Sequence, residues 1–366
     1  MKVICDRGVL VEALNLVSGV IVSRTPKPVL LCVKLEAGDG SLKLSATDLE
    51  VGIHLAIEQV EVQDDGAVVI PADKLTAIVR ESADPTITIE TEDEAAHIRG
   101  ADSHFKIYGH AAAEFPAVGV FEGDADYEVK AGVLGDLIQK TIFATARETS
   151  RYAINGVLME RDGKKMTMVA TDGRRLALAR GACGEAKGDG AGCIVPTKAL
   201  NLLLRLLDDP SEGVRVQIAD NQAHFATDRA TLTTNLVEGS FPPYKDVIPK
   251  EHDRKASFKT DVLASGVRRA ALLTNEESKG VKFAFSSEGL NLSSRAPEMG
   301  EAEVSVPAES YSGDPVEIGF NPQFIVDVLK VADAEQVAIE LKASNKPGTI
   351  KVGADFTYVV MPVSLG

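Results

Sequence analysis

The sequence contains no tryptophan, and aromatic residues make up only 5% of it. Stacking of nucleobases on aromatic platforms is therefore not a binding mode this chain is built for. Cysteine is scarce as well. Cys5, Cys32, Cys183 and Cys193 form no C-x-x-C pair, and a chain of 366 residues buries enough apolar surface to need no disulfide framework. No apolar run approaches the ~20 residues of a membrane-crossing helix, so no contact with membrane is expected. Asp6 and Glu12 interrupt the opening segment MKVICDRGVLVEAL, which is not the pattern of a signal peptide. A cytoplasmic protein is the expectation.

Signatures of catalysis are missing too. Nothing fits G-x-x-x-x-G-K-[ST], H-E-x-x-H or G-x-S-x-G. His54, His97, His104, His110, His224 and His252 are scattered without metal-ligand spacing. The glycines of 188–192 do not follow a strand and open a helix, so they read as a loop. Asp48 and Asp172 stand at strand ends before turns, where aspartate more often forms the turn than serves as an acid or base. No enzyme, no cofactor and no metal are expected. A hydrolase built on Asp172 would need a nucleophile or metal cluster that the sequence does not offer.

What the chain does contain is repetition. Ile70-Pro71-Ala72-Asp73-Lys74-Leu75, Val195-Pro196-Thr197-Lys198-Ala199-Leu200 and Phe320-Asn321-Pro322-Gln323-Phe324 share one form: a strand end, a proline near the first helical turn, then helix-period apolar residues. Their prolines are spaced by 125 and 126 residues. Leu42–Asp48 matches Met166–Asp172 at an offset of 124, and Leu290–Ser294 follows about 123 further on. Glu114-Phe115-Pro116 and Ser240-Phe241-Pro242 are offset by 126. Three matches in one order at near-constant spacing imply triplication.

Each third reads alike. An amphipathic helix comes first (7–19, 131–146, 260–273), then alternating strands (41–57, 165–179, 281–293), then the proline-started helix (71–82, 196–207, 321–332), then further strands (86–90, 214–218, 337–341). The expected class is α+β, with two helices packed on antiparallel sheets in each of three domains: 1–119, 126–249 and 253–366.

Lys and Arg total 39 against 54 Asp and Glu, a net charge of −15, which by itself argues against a nucleic-acid partner. Divided by element, the six helical segments sum to +5 and the remainder to −20. A chain that is acidic except on its helices has one surface suited to an anionic partner. Lysine and arginine that simply solvate helix faces would give the same count, and an acidic repeat adaptor that binds only proteins would share it.

Arg151-Tyr152-Ala153-Ile154-Asn155-Gly156 and Val169-Ala170-Thr171-Asp172-Gly173-Arg174-Arg175-Leu176-Ala177 resemble the middle domain of the bacterial DNA polymerase III beta sliding clamp family. Ser240-Phe241-Pro242-Pro243-Tyr244, Arg268-Arg269-Ala270-Ala271-Leu272-Leu273 and Tyr358-Val359-Val360-Met361-Pro362 extend the resemblance over the whole chain. The resemblance implies a DNA clamp fold of three repeated domains and a head-to-tail homodimer. Such a ring carries its helices inside, surrounds double-stranded DNA without reading sequence, and confers processivity without being an enzyme. It also implies an ATP-driven clamp loader as a separate partner.

Partner proteins of that family dock short peptides between the middle and last domains: the DNA polymerase III alpha subunit, the clamp loader, other polymerases and repair proteins. Carried over by motif, the cleft here comprises Ile154, Thr171, Gly173, Arg174, Arg175, Leu176, Pro242, Val247, Asn321, Phe324, Val359, Val360, Met361 and Pro362. Apolar side chains with an adaptable methionine suit varied peptides, although several of these would also serve as ordinary strand core. The dimer seam would use Phe105, Ile107, Leu272 and Leu273, each equally readable as core packing. Arg24, Arg80, Arg147, Arg151, Tyr152, Lys198 and Arg205 are the candidates to face DNA.

Overall fold

The computed structural model describes residues 1–146, 154–185, 192–219, 221–274, 280–297 and 299–365. Among these, six α-helices form, one at each predicted place: α1 Arg7–Val17, α2 Ala72–Glu81, α3 Ala131–Ile142, α4 Thr197–Leu204, α5 Thr260–Ala270 and α6 Pro322–Lys330. Local chemistry sets their limits. The Asp6 carboxylate accepts from Val9 N at 3.0 Å and caps α1, and Asn321 does the same for α6 through Gln323 N at 3.0 Å. Pro322 occupies the first turn of α6. Pro71 and Pro196 instead end strands, with the helix beginning one residue later. Each helix buries one stripe. On α1 it is Leu10, Leu14 and Val17, all 0% exposed, each contributing about 1.5–3 kcal/mol of burial.

The helices are shorter than their periodicity suggests, and this changes the charge division. Within the observed bounds the helical net charge is +2 rather than +5. Lys130 and Lys259 belong to preceding strands, and Arg205 lies one residue past α4.

All described strand pairings are antiparallel, and they follow one wiring diagram three times. In the first repeat, Lys2–Asp6, Thr86–Glu92, Ala95–Arg99 and His104–Tyr108 are neighbours in one sheet. Gly66–Pro71, Cys32–Gly38, Ser41–Thr47 and Val51–Ile57 are neighbours in a second. The second and third repeats each build the same two sheets.

Sheets of successive repeats then fuse. Val51–Ile57 pairs with Ala230–Asn235, giving an eight-stranded sheet. Arg175–Ala182 pairs with Phe356–Val360, giving a nine-stranded one. Because hydrogen bonding crosses the sequence thirds, the compact bodies do not follow them. One comprises 1–133, 183–188 and 198–236; the other comprises 134–182, 189–197 and 237–366. The two sheets of the middle third are shared out between them.

The repeat reaches down to single turns. Thr171 Oγ1 donates to Arg175 O (2.6 Å) and accepts from Gly173 N (3.1 Å), while Asp172 Oδ1 accepts from Arg174 N (2.9 Å) and Arg175 N (3.1 Å). In the first repeat Thr47 Oγ1 donates to Val51 O (2.9 Å) and accepts from Leu49 N (3.0 Å), and Asp48 Oδ1 accepts from Glu50 N (3.0 Å) and Val51 N (2.7 Å). The central residue has φ +85° at Gly173 and +80° at Leu49. A branched residue there is strained, and Leu49 is 49% exposed, so packing does little to offset it. Leu49→Gly is therefore expected to stabilise the protein by about 1 kcal/mol net of the added unfolded-state entropy, read as a rise in the urea midpoint. A lower midpoint would contradict the strain argument.

Candidate functional site

A pocket of about 190 Å³ opens beside the Thr171–Arg175 turn. Its floor is sheet: Thr171 and Leu176 come from adjacent strands, Val359 pairs with Leu176, and Ile154 lies beside them, each of the four at most 7% exposed. Tyr244, Leu158, Val169, Leu178 and Ile194 form the core beneath. The rim is apolar and open, with Val247 at 45% and Met361 at 40% exposure, and Pro242 and Arg174 complete the lining. Gly173 turns away at φ +85°, and a Cβ there would meet nothing within 4 Å, so the backbone leaves that side open. Met361 N donates to Arg174 O at 2.9 Å, pinning the rim to the turn.

Arg175 borders this apolar space and organises what surrounds it. Its side chain is 10% exposed. Nε donates to Asp172 Oδ2 at 3.0 Å, and the terminal nitrogens donate to Asp327 Oδ2 at 2.7 Å and Phe143 O at 2.6 Å. The guanidinium lies 4.4 Å from the Phe324 ring centroid. Burial works against its charge, but Asp327, Tyr358 and Asp172 outweigh it and raise its pKa. Asp172 is thus fully engaged as turn former and ion-pair partner, and an acid-base role finds no free oxygen.

Of the residues the resemblance assigned to the cleft, ten line this one pocket: Ile154, Thr171, Gly173, Arg174, Arg175, Leu176, Pro242, Val247, Val359 and Met361. Asn321, Phe324, Val360 and Pro362 lie outside the lining. Asn321 caps α6, Phe324 stacks under Arg175, and Val360 is 1% exposed strand core. Tyr244 is a lining residue that sequence reasoning passed over, although it ends the quoted Ser240–Tyr244 tract. Burial and the Glu160 carboxylate, which accepts from its hydroxyl at 2.6 Å, push the Tyr244 pKa up.

In the first repeat the floor of the equivalent place is built differently. Gly52 stands where Leu176 does, and a Cβ on Gly52 would lie 2.5 Å from Val118, the counterpart of Tyr244. Thr233 Oγ1 donates to Gly119 O at 3.0 Å, and His54 Nε2 lies 3.4 Å from Val118 O, holding the segment in place.

Four of the DNA candidates gather around the end of α1 and the loop after it. Arg80 donates to Asn15 Oδ1 at 2.9 Å, Arg205 to Asn15 O at 2.7 Å, and Lys198 to Val20 O at 3.0 Å. Cations at a helix C-terminus are favoured by its dipole. Arg24, Arg80 and Arg205 are exposed, whereas Lys198 is half-buried and paired with Asp48. Arg147, Arg151 and Tyr152 lie outside the described residues. At the candidate seam, Leu272 is 76% and Phe105 42% exposed, Leu273 is half-buried, and Ile107 is 8% exposed and already covered within its own chain. No helix among the described residues is long and apolar enough to cross a membrane.

Three family models match in order: the DNA polymerase III beta subunit N-terminal domain over 1–119, its central domain over 128–243 and its C-terminal domain over 245–364. The beta sliding clamp of Escherichia coli K12 is 34% identical over 370 residues, covering 100% of both chains. That of Pseudomonas putida KT2440 is 33% identical over 363 residues, covering 98% of this chain and 99% of its own. Among solved structures, the DnaN sliding clamp of Pseudomonas aeruginosa bound to griselimycin superposes with a TM-score of 0.95 at 33% identity, covering 100% of each chain. The DNA polymerase sliding clamp of Bacillus subtilis gives 0.94 at 25% identity, covering 100% of this chain and 99% of its own. Threefold wiring, the pocket at the repeated turn and agreement over the full length lead to one conclusion: the chain belongs to the DNA polymerase III beta subunit family.

Proposed function

We propose that this chain is a DNA sliding clamp, two copies of which close head to tail around duplex DNA and tether the replicative polymerase. The observation that carries the reading is a pair of open strand edges. Val51–Ile57 and Arg175–Ala182 each pair with the last strand of the following repeat. Among the described residues, the third member of that series, Gly300–Val306, ends its sheet without a partner on one side, and so does His104–Tyr108, the last strand of the first repeat. Pairing these two edges between copies completes the pattern and covers two strand edges that would otherwise invite aggregation. The three domains of the repeat meet near 119–126 and 249–255.

The exposed cations at the end of α1 supply a sequence-independent attraction to phosphate, and the acidic remainder discourages binding elsewhere. Closure around the duplex, rather than tight contact, provides retention, so the protein is not an enzyme and needs no cofactor. The apolar pocket, with its adaptable Met361 rim, suits the anchor side chains of short peptides on polymerases, the clamp loader and repair proteins.

The test is topological. After loading by a clamp loader, the protein is expected to stay on circular DNA through gel filtration and to leave once the circle is cut. Equal loss from circular and linear DNA would overturn the reading.

A further inference from the structure

The repeat wiring also specifies how the two open edges would register. Leu232 pairs with Ile53 at one internal junction, and Tyr358 with Ala177 at the other. By hairpin pairing, Phe105 opposite Ile98 corresponds to Leu232 opposite Phe225. Ala302 opposite Ser294 corresponds to Ala177 opposite Ala170. The equivalent junction therefore sets Phe105 of one copy against Ala302 of a second. In antiparallel order, His104 then faces Glu303 and Lys106 faces Glu301. Lys106 and the titratable His104 each meet a carboxylate.

His104 is the titratable member of this arrangement. Its ring stacks on His97 with centroids 5.1 Å apart, and His104 Nε2 is 2.9 Å from His97 Nδ1. Glu92 lies 3.3 Å from His97 Nε2. That contact places the His97 proton on Nε2, so His97 Nδ1 accepts from His104 Nε2–H. The nitrogen left to titrate on His104 is Nδ1, and protonating it leaves the imidazole pair intact.

Within a single chain the surroundings oppose that charge. Desolvation, and then Arg99, His97 and Lys106, lower the His104 pKa below its ordinary value. Glu92 is shared between His97 and Lys106, and Glu90 is paired with Arg99. On the facing edge Arg295 pairs with Glu301 at 3.1 Å, and among the described residues Glu303 forms no ion pair.

Building on the head-to-tail reading above, we propose that the seam between copies is strengthened by acid, because docking opposite Glu303 of a second copy draws a proton onto His104. The sign follows from linkage: the docked state has the higher His104 pKa and binds more protons, so dimerisation strengthens as pH falls. Each unit of pKa rise is worth about tenfold per seam, or about a hundredfold in the dimer Kd for two seams.

Sedimentation equilibrium of the full chain between pH 8 and pH 6 tests this. The wild-type Kd is expected to fall with pH. His104→Lys, which carries its charge throughout, should be tight and flat, while His104→Gln and Glu303→Gln should be weaker and flat. A wild-type dimer whose pH slope is absent, or persists in His104→Gln, overturns the role of His104 and leaves the ring reading standing. A wild-type chain that stays monomeric at every pH overturns both.

Discussion

Replacing Arg175 with alanine is expected to destabilise the protein by about 3–5 kcal/mol, the range for removing one member of a buried ion network. The loss is not of one bond. Asp172 and Asp327, each 19% exposed, would both be left without their cation, and the Phe143 carbonyl would lose its donor. Asp172 also holds the turn that borders the pocket, so the pocket wall should loosen as the protein weakens. Arg175→Lys keeps the charge but cannot fork toward three acceptors at once or stack its plane on Phe324, and should recover only part of the loss. Urea unfolding of the two variants measures both effects. A cost under about 1 kcal/mol for the alanine variant would show that the network is solvated rather than structural.

The second large effect concerns the pocket. Met361→Glu combined with Val247→Glu places two carboxylates on the exposed rim of an otherwise apolar space. Binding of a polymerase-derived clamp peptide should weaken by about 2 kcal/mol or more, roughly thirtyfold in Kd, because the anchors would then desolvate charge instead of joining apolar surface. Fluorescence polarisation with labelled peptide reads the affinity, and sedimentation checks that the dimer persists. Both positions are substantially exposed, so folding should be little affected. Unchanged affinity in a normally assembled protein would move the peptide site elsewhere.

The DNA candidates divide along a similar line. Arg24, Arg80 and Arg205 remain exposed, and Arg80 and Arg205 are held in place by Asn15. Lys198 spends its charge on Asp48 and the Val20 carbonyl in the loop after α1. A residue type at a helix position could be recognised from the chain alone, but the partner that neutralises it could not. Lys198 and Asp48 are 150 residues apart.

Pattern and repetition were local properties, and the sequence carried them. The α+β class, the six helices and the three copies follow from periodicity and offset, because apolar spacing dictates which face of an element must be buried. Motif resemblance likewise placed ten residues that now line one pocket. Tertiary structure decided what repetition cannot. The same turn carries Leu49 in one repeat and Gly173 in another, and Val118 packs against Gly52 in one where Tyr244 lines a pocket floored by Leu176 in the other. Sheets fused across the thirds and, among the described residues, left His104–Tyr108 and Gly300–Val306 at sheet edges where the fused strands have partners. Absence of tryptophan and a net acidic chain had only excluded modes of binding. Which cations stay free and which apolar residues stay uncovered depends on long-range packing, where each side chain's neighbours come from distant parts of the chain.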